Sequence, residues 1–239
     1  MITVAFNKLT LQPGDNILDI GCGAGRHVCA CARHEGVKVW GVDRCESDLS
    51  KATENLHFEK SYGVSHGIWQ LLIGDINDLP FPNNYFDLVI CSEVLEHIPN
   101  DTSAMTEIIR VLKTNKQLVV SVPRFAPECI CWALSKKYRN TPGGHLRIYR
   151  QKKIIDQLEA LGVKKWYHHY AHSLHSMYWW LKCLVGPDQD QHICVKCYHD
   201  FLVWDMVHKS PWVRLIEKLL NPLMGKSLVI YFQKRISNV

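Results

Sequence analysis

Between Ile17 and Gly25 a short apolar strand, Ile17-Leu18-Asp19-Ile20, runs into a turn with glycine at every second position, Gly21, Gly23 and Gly25. An apolar, helix-compatible segment from about Arg26 to Arg33 follows. No other stretch restricts the fold as much. A strand–turn–helix of this kind needs glycine because a side chain would hold the backbone away from a bound ligand, and because the turn visits positive φ. The dinucleotide fingerprint G-x-G-x-x-G would place its third glycine at position 26, which is Arg26. That departure argues against a dinucleotide.

The rest of the first half alternates strand and helix patterns. Val37 to Asp43 is β-branched and ends in an acid, and Leu49, Ala52 and Leu56 recur at helical spacing behind it. Trp69 to Ile73 predicts a third strand delivering Gly74-Asp75-Ile76, and Leu88 to Cys91 a fourth, followed by Ser92-Glu93-Val94-Leu95-Glu96-His97. Met105, Ile108, Ile109 and Leu112 mark a helix before a fifth strand, Gln117 to Pro123. Strands alternating with helices predict a mainly parallel sheet with right-handed crossovers. In open α/β sheets ligands bind at the carboxyl ends of strands, so Glu93 and His97 are placed near a reaction centre. Asp43 lies 22 positions after Gly21, near the ~20 at which an acidic strand end meets a ribose in nucleotide folds.

The acid and three glycines Asp19, Gly21, Gly23 and Gly25 resemble the first motif of class I S-adenosylmethionine-dependent methyltransferases, and the likeness extends over most of the first two-thirds of the chain. The loop Leu79 to Asp87 resembles the loop of that form in the family, and the Glu-x-x-Glu-His run from Glu93 to His97 resembles its ubiquinone-biosynthesis-like, or type 11, branch. The resemblance implies a Rossmann-like, seven-stranded sheet with helices on both faces. It also implies S-adenosylmethionine as cofactor, held by Asp19, Gly21, Cys22, Gly23 and Gly25, with Asp43 on the ribose hydroxyls, Asp75 beside the adenine amino group, Ile76 on the adenine face, and Glu93 nearby. A helix N-cap is the bland alternative for Asp43. H-E-x-x-H zinc sites also combine these residue types, but Glu96-His97 lacks the second histidine at the required offset.

From Phe125 onward the pattern loosens. Thr141-Pro142-Gly143-Gly144 breaks the chain, and His145-Leu146-Arg147 introduces a helix carrying Ile154, Ile155, Leu158 and Leu161 that stops at Gly162. The resemblance makes His145 a candidate base near the substrate opening, with Arg147 orienting it or binding an acidic substrate group; a pair of structural hydrogen bonders is the competing reading. Trp166 to His175 reads as a strand that would set His168 and His172 on one face and His169 on the other. His172 and His175, with Tyr178 just beyond, are expected to line the substrate pocket. No metal is implied. Ser227 to Phe232 is plainly a last strand, so about 176–225 is an insertion. Its Trp179, Trp180, Trp204 and Trp212, mixed with Lys182, Lys196, Lys209, Arg214 and Lys218, predict a helical cap of two or three short helices. Tryptophan among lysines suits a membrane interface, while the same residues also suit a cap core and pocket.

The whole chain, 1–239, reads as a single methyltransferase domain with a cofactor-binding half, 1–125, and a substrate half, 126–239. The balance of 28 basic against 23 acidic residues is mild and comes without a Lys/Arg run, so no nucleic-acid partner is expected. With no secretory signal pattern and no apolar run of ~18 residues, the cytoplasm is the expected compartment, and the ten cysteines are expected to be reduced. Cys194-x-x-Cys197 has zinc-like spacing but lacks a matching second pair. The expected chemistry is O-methylation of a small-molecule, glycan or lipid-linked acceptor, with His145, His97 and His172 as ranked bases. Carbon methylation of a quinone-like ring and a non-catalytic cofactor-binding scaffold are the alternatives. The oligomeric state is left open.

Overall fold

The structure, a computed structural model, describes residues 2–208 and 210–235, so Lys209 lies outside the described residues. Seven strands form one sheet in the order β3-β2-β1-β4-β5-β7-β6. They are β1 (Asn16–Ile20), β2 (Lys38–Asp43), β3 (Ile68–Ile73), β4 (Phe86–Ser92), β5 (Leu112–Pro123), β6 (Val163–Ala171) and β7 (Ser227–Lys234). The first five pair in parallel, and β7 runs antiparallel to both β5 and β6. The expected fold class is therefore the one observed. The helices between the strands are α1 (Arg26–Ala32), α2 (Glu46–Ser61), α3 (Asp101–Val111), α4 (Phe125–Leu134), α5 (Lys136–Arg139) and α6 (Gln151–Glu159).

Strand alternation divides the core into two layers. Leu18, Val89, Val120 and Ile230 point to one face, where Met105 and Ile108 of α3 and Ile154 and Leu158 of α6 cover them. Ile17, Leu88, Ile90 and Tyr231 point to the other, against Val28 and Cys29 of α1 and Leu49 and Leu56 of α2. Successive side chains on a strand face opposite ways, so near-continuous apolar runs such as Leu88 to Cys91 signal a sheet buried on both faces.

The sheet order reverses between β1 and β4, which opens a crevice at their carboxyl ends. The insertion between β6 and β7 contains α7 (Ser173–Val185), α8 (Ile193–His208) and α9 (Pro211–Met224), with α7 packed against α4, α8 and α9. The expected strand over 166–175 needs correcting at its end. Its last pairing is Ala171 with Ser227. His172 then adopts a left-handed conformation, φ 67°, as the N-cap of α7. Period-two alternation stops there, so His172 does not share a strand face with His168.

Candidate functional site

Two adjoining cavities occupy the carboxyl edge of the sheet, and His97 lines both. The first, of about 210 Å³, is bounded by Ile20, Gly21, Asp43, Ile76, Glu93 and Val94 among others. The glycines of the turn serve it in different ways. Gly21 has φ +64°, and a Cβ there would stand 2.3 Å from a Val94 methyl. Gly25, at φ +79°, caps α1, and a Cβ would meet Ala52 of α2 at 2.8 Å. Gly23, at φ +51°, has open space where its Cβ would be. Gly21 and Gly25 thus permit close packing, whereas Gly23 leaves the backbone approachable.

Asp43 ties this turn to β2. Its carboxylate accepts the Gly23 N–H at 2.7 Å and the Cys45 N–H at 2.9 Å, one on each oxygen. Each oxygen can accept a second bond, which leaves lone pairs for hydroxyl donors in the cavity. Ile76 is buried and supplies an apolar wall. Asp75 lies just outside the lining, accepting the Asn77 N–H at 2.9 Å with Arg44 at 3.8 Å. That first bond leads the interactions holding its carboxyl below the usual carboxylate range. An open glycine turn, a strand-end carboxylate with free lone pairs and an apolar wall fit the adenosyl group implied by the sequence.

Glu93 reaches the cavity from a strained position, φ 59°. Its N–H donates to the Ser121 carbonyl at 2.9 Å, and the Ser121 hydroxyl donates to its carboxylate at 2.9 Å. A conformation uncommon outside glycine is thereby held by the end of β5. Asp19 and Cys22 sit beneath the turn and do not line the cavity. Burial pushes the Asp19 carboxyl up to about 8 against the opposing pull of Arg26. Cys22 is buried and packs under Gly41, and burial likewise raises its thiol.

The second cavity, of about 330 Å³, is lined by Trp132, Tyr138, His145, Trp179, Lys182 and Lys226 in addition to His97. His145 donates from Nδ1 to the Glu128 carboxylate at 2.6 Å. Glu128, on α4, is buried, which alone would raise its pKa. The bond from His145, with Lys226 and Tyr138 nearby, outweighs that and holds the carboxyl below its ordinary value. With Nδ1 carrying the proton, a neutral His145 keeps its Nε2 lone pair free to accept.

His97 lies edge-on to His145, ring centroids 5.0 Å apart. Its Nδ1 donates toward the Gly143 and Gly144 carbonyls at 3.0 and 3.1 Å, so its Nε2 too is bare when neutral. Behind it Glu96 is fully buried, and neither carboxylate oxygen has a hydrogen-bond partner among the described residues. Burial, reinforced by Glu93, lifts that carboxyl well above its usual range. The Glu96 backbone carbonyl accepts the Leu146 N–H at 2.9 Å, which holds the His145 loop against the strand end.

The remaining expected residues lie elsewhere. Arg147 lines neither cavity: it donates to the Ile98 carbonyl at 2.6 Å and the Pro99 carbonyl at 2.8 Å and pairs with Asp101 at 3.1 Å, stapling the segment after β4. Tyr178 packs on Tyr198 and His199 of α8 inside the cap, and its neighbour Trp179 faces the second cavity instead. His172 and His175 line a separate cavity of about 400 Å³ with Leu202, Asp205, Arg214 and Glu217. Two groups of three ligand-type side chains occur among the described residues, Glu96-His97-His145 and His172-His175-Glu217. Cys194 and Cys197, exposed on α8, belong to neither. Sequence reasoning missed Glu128, whose signal was an isolated acid in the apolar run Phe125–Leu134, and missed Trp132, Tyr138 and Lys226.

Comparison with known proteins bears on the fold and on the class of protein. Residues 18–120 match a family described as "Methyltransferase domain". The sterol 24-C-methyltransferase of Saccharomyces cerevisiae is 28% identical over 161 residues, 67% of this chain and 37% of that protein. Phosphoethanolamine N-methyltransferase 2 of Caenorhabditis elegans is 32% identical over 111 residues, 46% of this chain and 24% of that protein. The chain thus spans well under half the length of either relative. The crystal structure of the YcgJ protein from Bacillus subtilis superposes with a TM-score of 0.62 at 19% identity, covering 97% of both chains, and shares the fold. The matched segment runs from the first strand and its glycine turn through most of β5, so this part of the chain matches a methyltransferase domain and the whole shares its fold with a structure of 19% identity.

Proposed function

We propose that this chain transfers a methyl group to a hydroxyl of a small-molecule, glycan or lipid-linked acceptor held in the second cavity. The supporting observation is the 2.6 Å Glu128–His145 pair, set beside the cofactor cavity through the shared residue His97. When bound, S-adenosylmethionine would supply an electrophilic sulfonium methyl open to in-line attack by the acceptor oxygen, with S-adenosylhomocysteine as the leaving group. Gly21, Gly23, Asp43 and Ile76 hold it, and Glu93 and His97 stand at the boundary with the acceptor.

A protonated alcohol is a poor nucleophile, so the acceptor proton passes to His145 Nε2 as the oxygen–carbon bond forms. Glu128 fixes the tautomer that can receive it and stabilises the imidazolium that results. Trp132, Trp179 and Tyr138 offer faces on which a ring or an apolar stem can pack, with Lys182 and Lys226 available to an anionic group.

Carbon methylation is the second reading, favoured by the sterol 24-C-methyltransferase relative. In that case the same imidazole would take a proton from carbon. Incubation with methyl-labelled S-adenosylmethionine and a panel of sterols, polyprenyl-linked glycans and phenolic rings tests the proposal. Label appearing in an alkali-stable ether supports oxygen, and label in a carbon–carbon bond moves the assignment to carbon. Absence of acceptor-dependent S-adenosylhomocysteine release from a protein that binds the cofactor would favour a non-catalytic scaffold.

A further inference from the structure

The separate cavity of about 400 Å³ lies where the start of α7 meets α8 and α9, and its polar walls are His172, His175, Asp205, Arg214 and Glu217, with Arg33 of the sheet half. His172 Nε2, His175 Nδ1 and Asp205 Oδ1 are buried and have no hydrogen-bond partner among the described residues. Buried polar atoms are ordinarily paired, so three around one cavity point to a ligand that satisfies them. In sequence no carboxylate stands among the histidines from His168 to His175. The fold brings one from α9: Glu217, 42 positions after His175, offers a ligand atom that lies with those of His172 and His175 inside a spread of 4.8 Å. Donors around a tetrahedral zinc stand ~3.4 Å apart, so small side-chain rotations close the remaining gap.

The backbone holds the set together. His172 is the N-cap of α7 at φ 67°, uncommon outside glycine, and its side chain makes no capping bond. Its ring instead faces that of His175, centroids 5.8 Å apart. Ser173, between them, donates its N–H to the Asn221 side chain at 3.0 Å and its hydroxyl to the Glu217 carbonyl at 3.2 Å, which fixes α9 against the start of α7. Charge leaves room for a cation. Arg214 is one guanidinium against two carboxylates, Asp205 at 3.2 Å and Glu217 at 3.6 Å, and Arg33 is bonded to Glu59 of α2. Lys226, whose charge reaches both histidines, lines the second cavity, and Arg26 does not line this one.

We infer that His172, His175 and Glu217 bind one divalent transition-metal ion of the zinc class, with the Asp205 carboxylate in the same cavity to balance its charge. Two imidazoles with a carboxylate suit zinc, cobalt or nickel, whereas magnesium and calcium take oxygen ligands. The ion staples the end of β6 and the start of α7 to α9, holding the cap on the sheet. Neither the glycine turn nor His145 lines this cavity, and the site stands independently of the methyl-transfer reading.

The test is calorimetric titration of zinc chloride into the full chain stripped of metal by a chelator. It compares the wild type with Glu217→Gln and His172→Gln/His175→Gln, each checked by circular dichroism, and with Cys194→Ser/Cys197→Ser as a control for the exposed cysteines of α8. One zinc per chain, bound at micromolar strength or tighter, weakened about tenfold or more by Glu217→Gln, lost in the histidine variant and kept by the cysteine variant, supports the inference. Zinc should also raise the Tm of the wild type and leave that of Glu217→Gln in place. Cobalt(II) gives a readout that needs no variant: ligand-field bands without thiolate charge transfer support nitrogen and oxygen ligands. A wild type that binds no zinc, a folded Glu217→Gln protein that binds it as tightly as the wild type, or a thiolate band with cobalt overturns it.

Discussion

The two histidine clusters of this chain are built from the same kinds of side chain and differ in what surrounds them. His145 is bonded at 2.6 Å to a carboxylate kept ionised and stands 5.0 Å from His97, which also lines the cavity of the glycine turn. His172 and His175 also face each other, at 5.8 Å, beside Glu217. Yet His172 Nε2 and His175 Nδ1 have no hydrogen-bond partner among the described residues, and their cavity does not include the glycine turn. Burial, with Lys226 contributing to both, Arg26 to His172 and Arg214 to His175, drives their pKa values down to about 3 and about 4. An imidazole becomes a useful base through its partner and its neighbour, not through the company of other histidines.

The largest effect expected from this contrast is on turnover. His145→Ala should lower kcat by about 10²- to 10⁴-fold with cofactor affinity unchanged, whereas His172→Ala should leave kcat within about threefold. Rates of S-adenosylhomocysteine release at saturating acceptor measure both, and equal losses would erase the distinction. Glu128→Gln should cost less, about tenfold or ~1.4 kcal/mol in the transition state, because the amide keeps the shape but does not stabilise an imidazolium. A Glu128→Gln enzyme as fast as the wild type would leave His145 without its proposed partner.

The smaller expectation concerns stability and belongs to the other cluster. Unfolded histidines titrate near ~6.5, above the values of about 4 and 3 held by the folded chain. Between those limits the unfolded state binds more protons. The stability from keeping His172 and His175 neutral is therefore complete above the unfolded value and is lost as pH falls through about 6.5 toward 4. Urea midpoints should drop over that window more steeply for the wild type than for a His172→Gln/His175→Gln variant. Parallel profiles would show that these side chains are not buried in the neutral form.

Much of the cofactor side was legible because its chemistry sits at strand ends. The positions of Gly21, Gly23, Asp43, Ile76 and Glu93 follow from a periodic, locally encoded sheet, and all but Gly23 line one cavity. Even there the alternation of the chain hid a distinction. Asp19 and Cys22 belong to the motif by spacing but face the interior. On the acceptor side the deciding contacts join residues that no local pattern links. Glu128 meets His145 across 17 positions because α4 packs over the His145 loop. The carbonyls at Ile98 and Pro99 occupy Arg147, 49 and 48 positions away. His172 left the predicted strand because its pairing with β7 ended one residue earlier.

The most direct measurement is calorimetric titration of S-adenosylmethionine into the purified wild type and an Asp43→Ala variant. The account predicts micromolar binding that the variant weakens by about tenfold or more, ~1.4 kcal/mol. A folded wild type that takes up no cofactor, with or without candidate acceptors present, would contradict it.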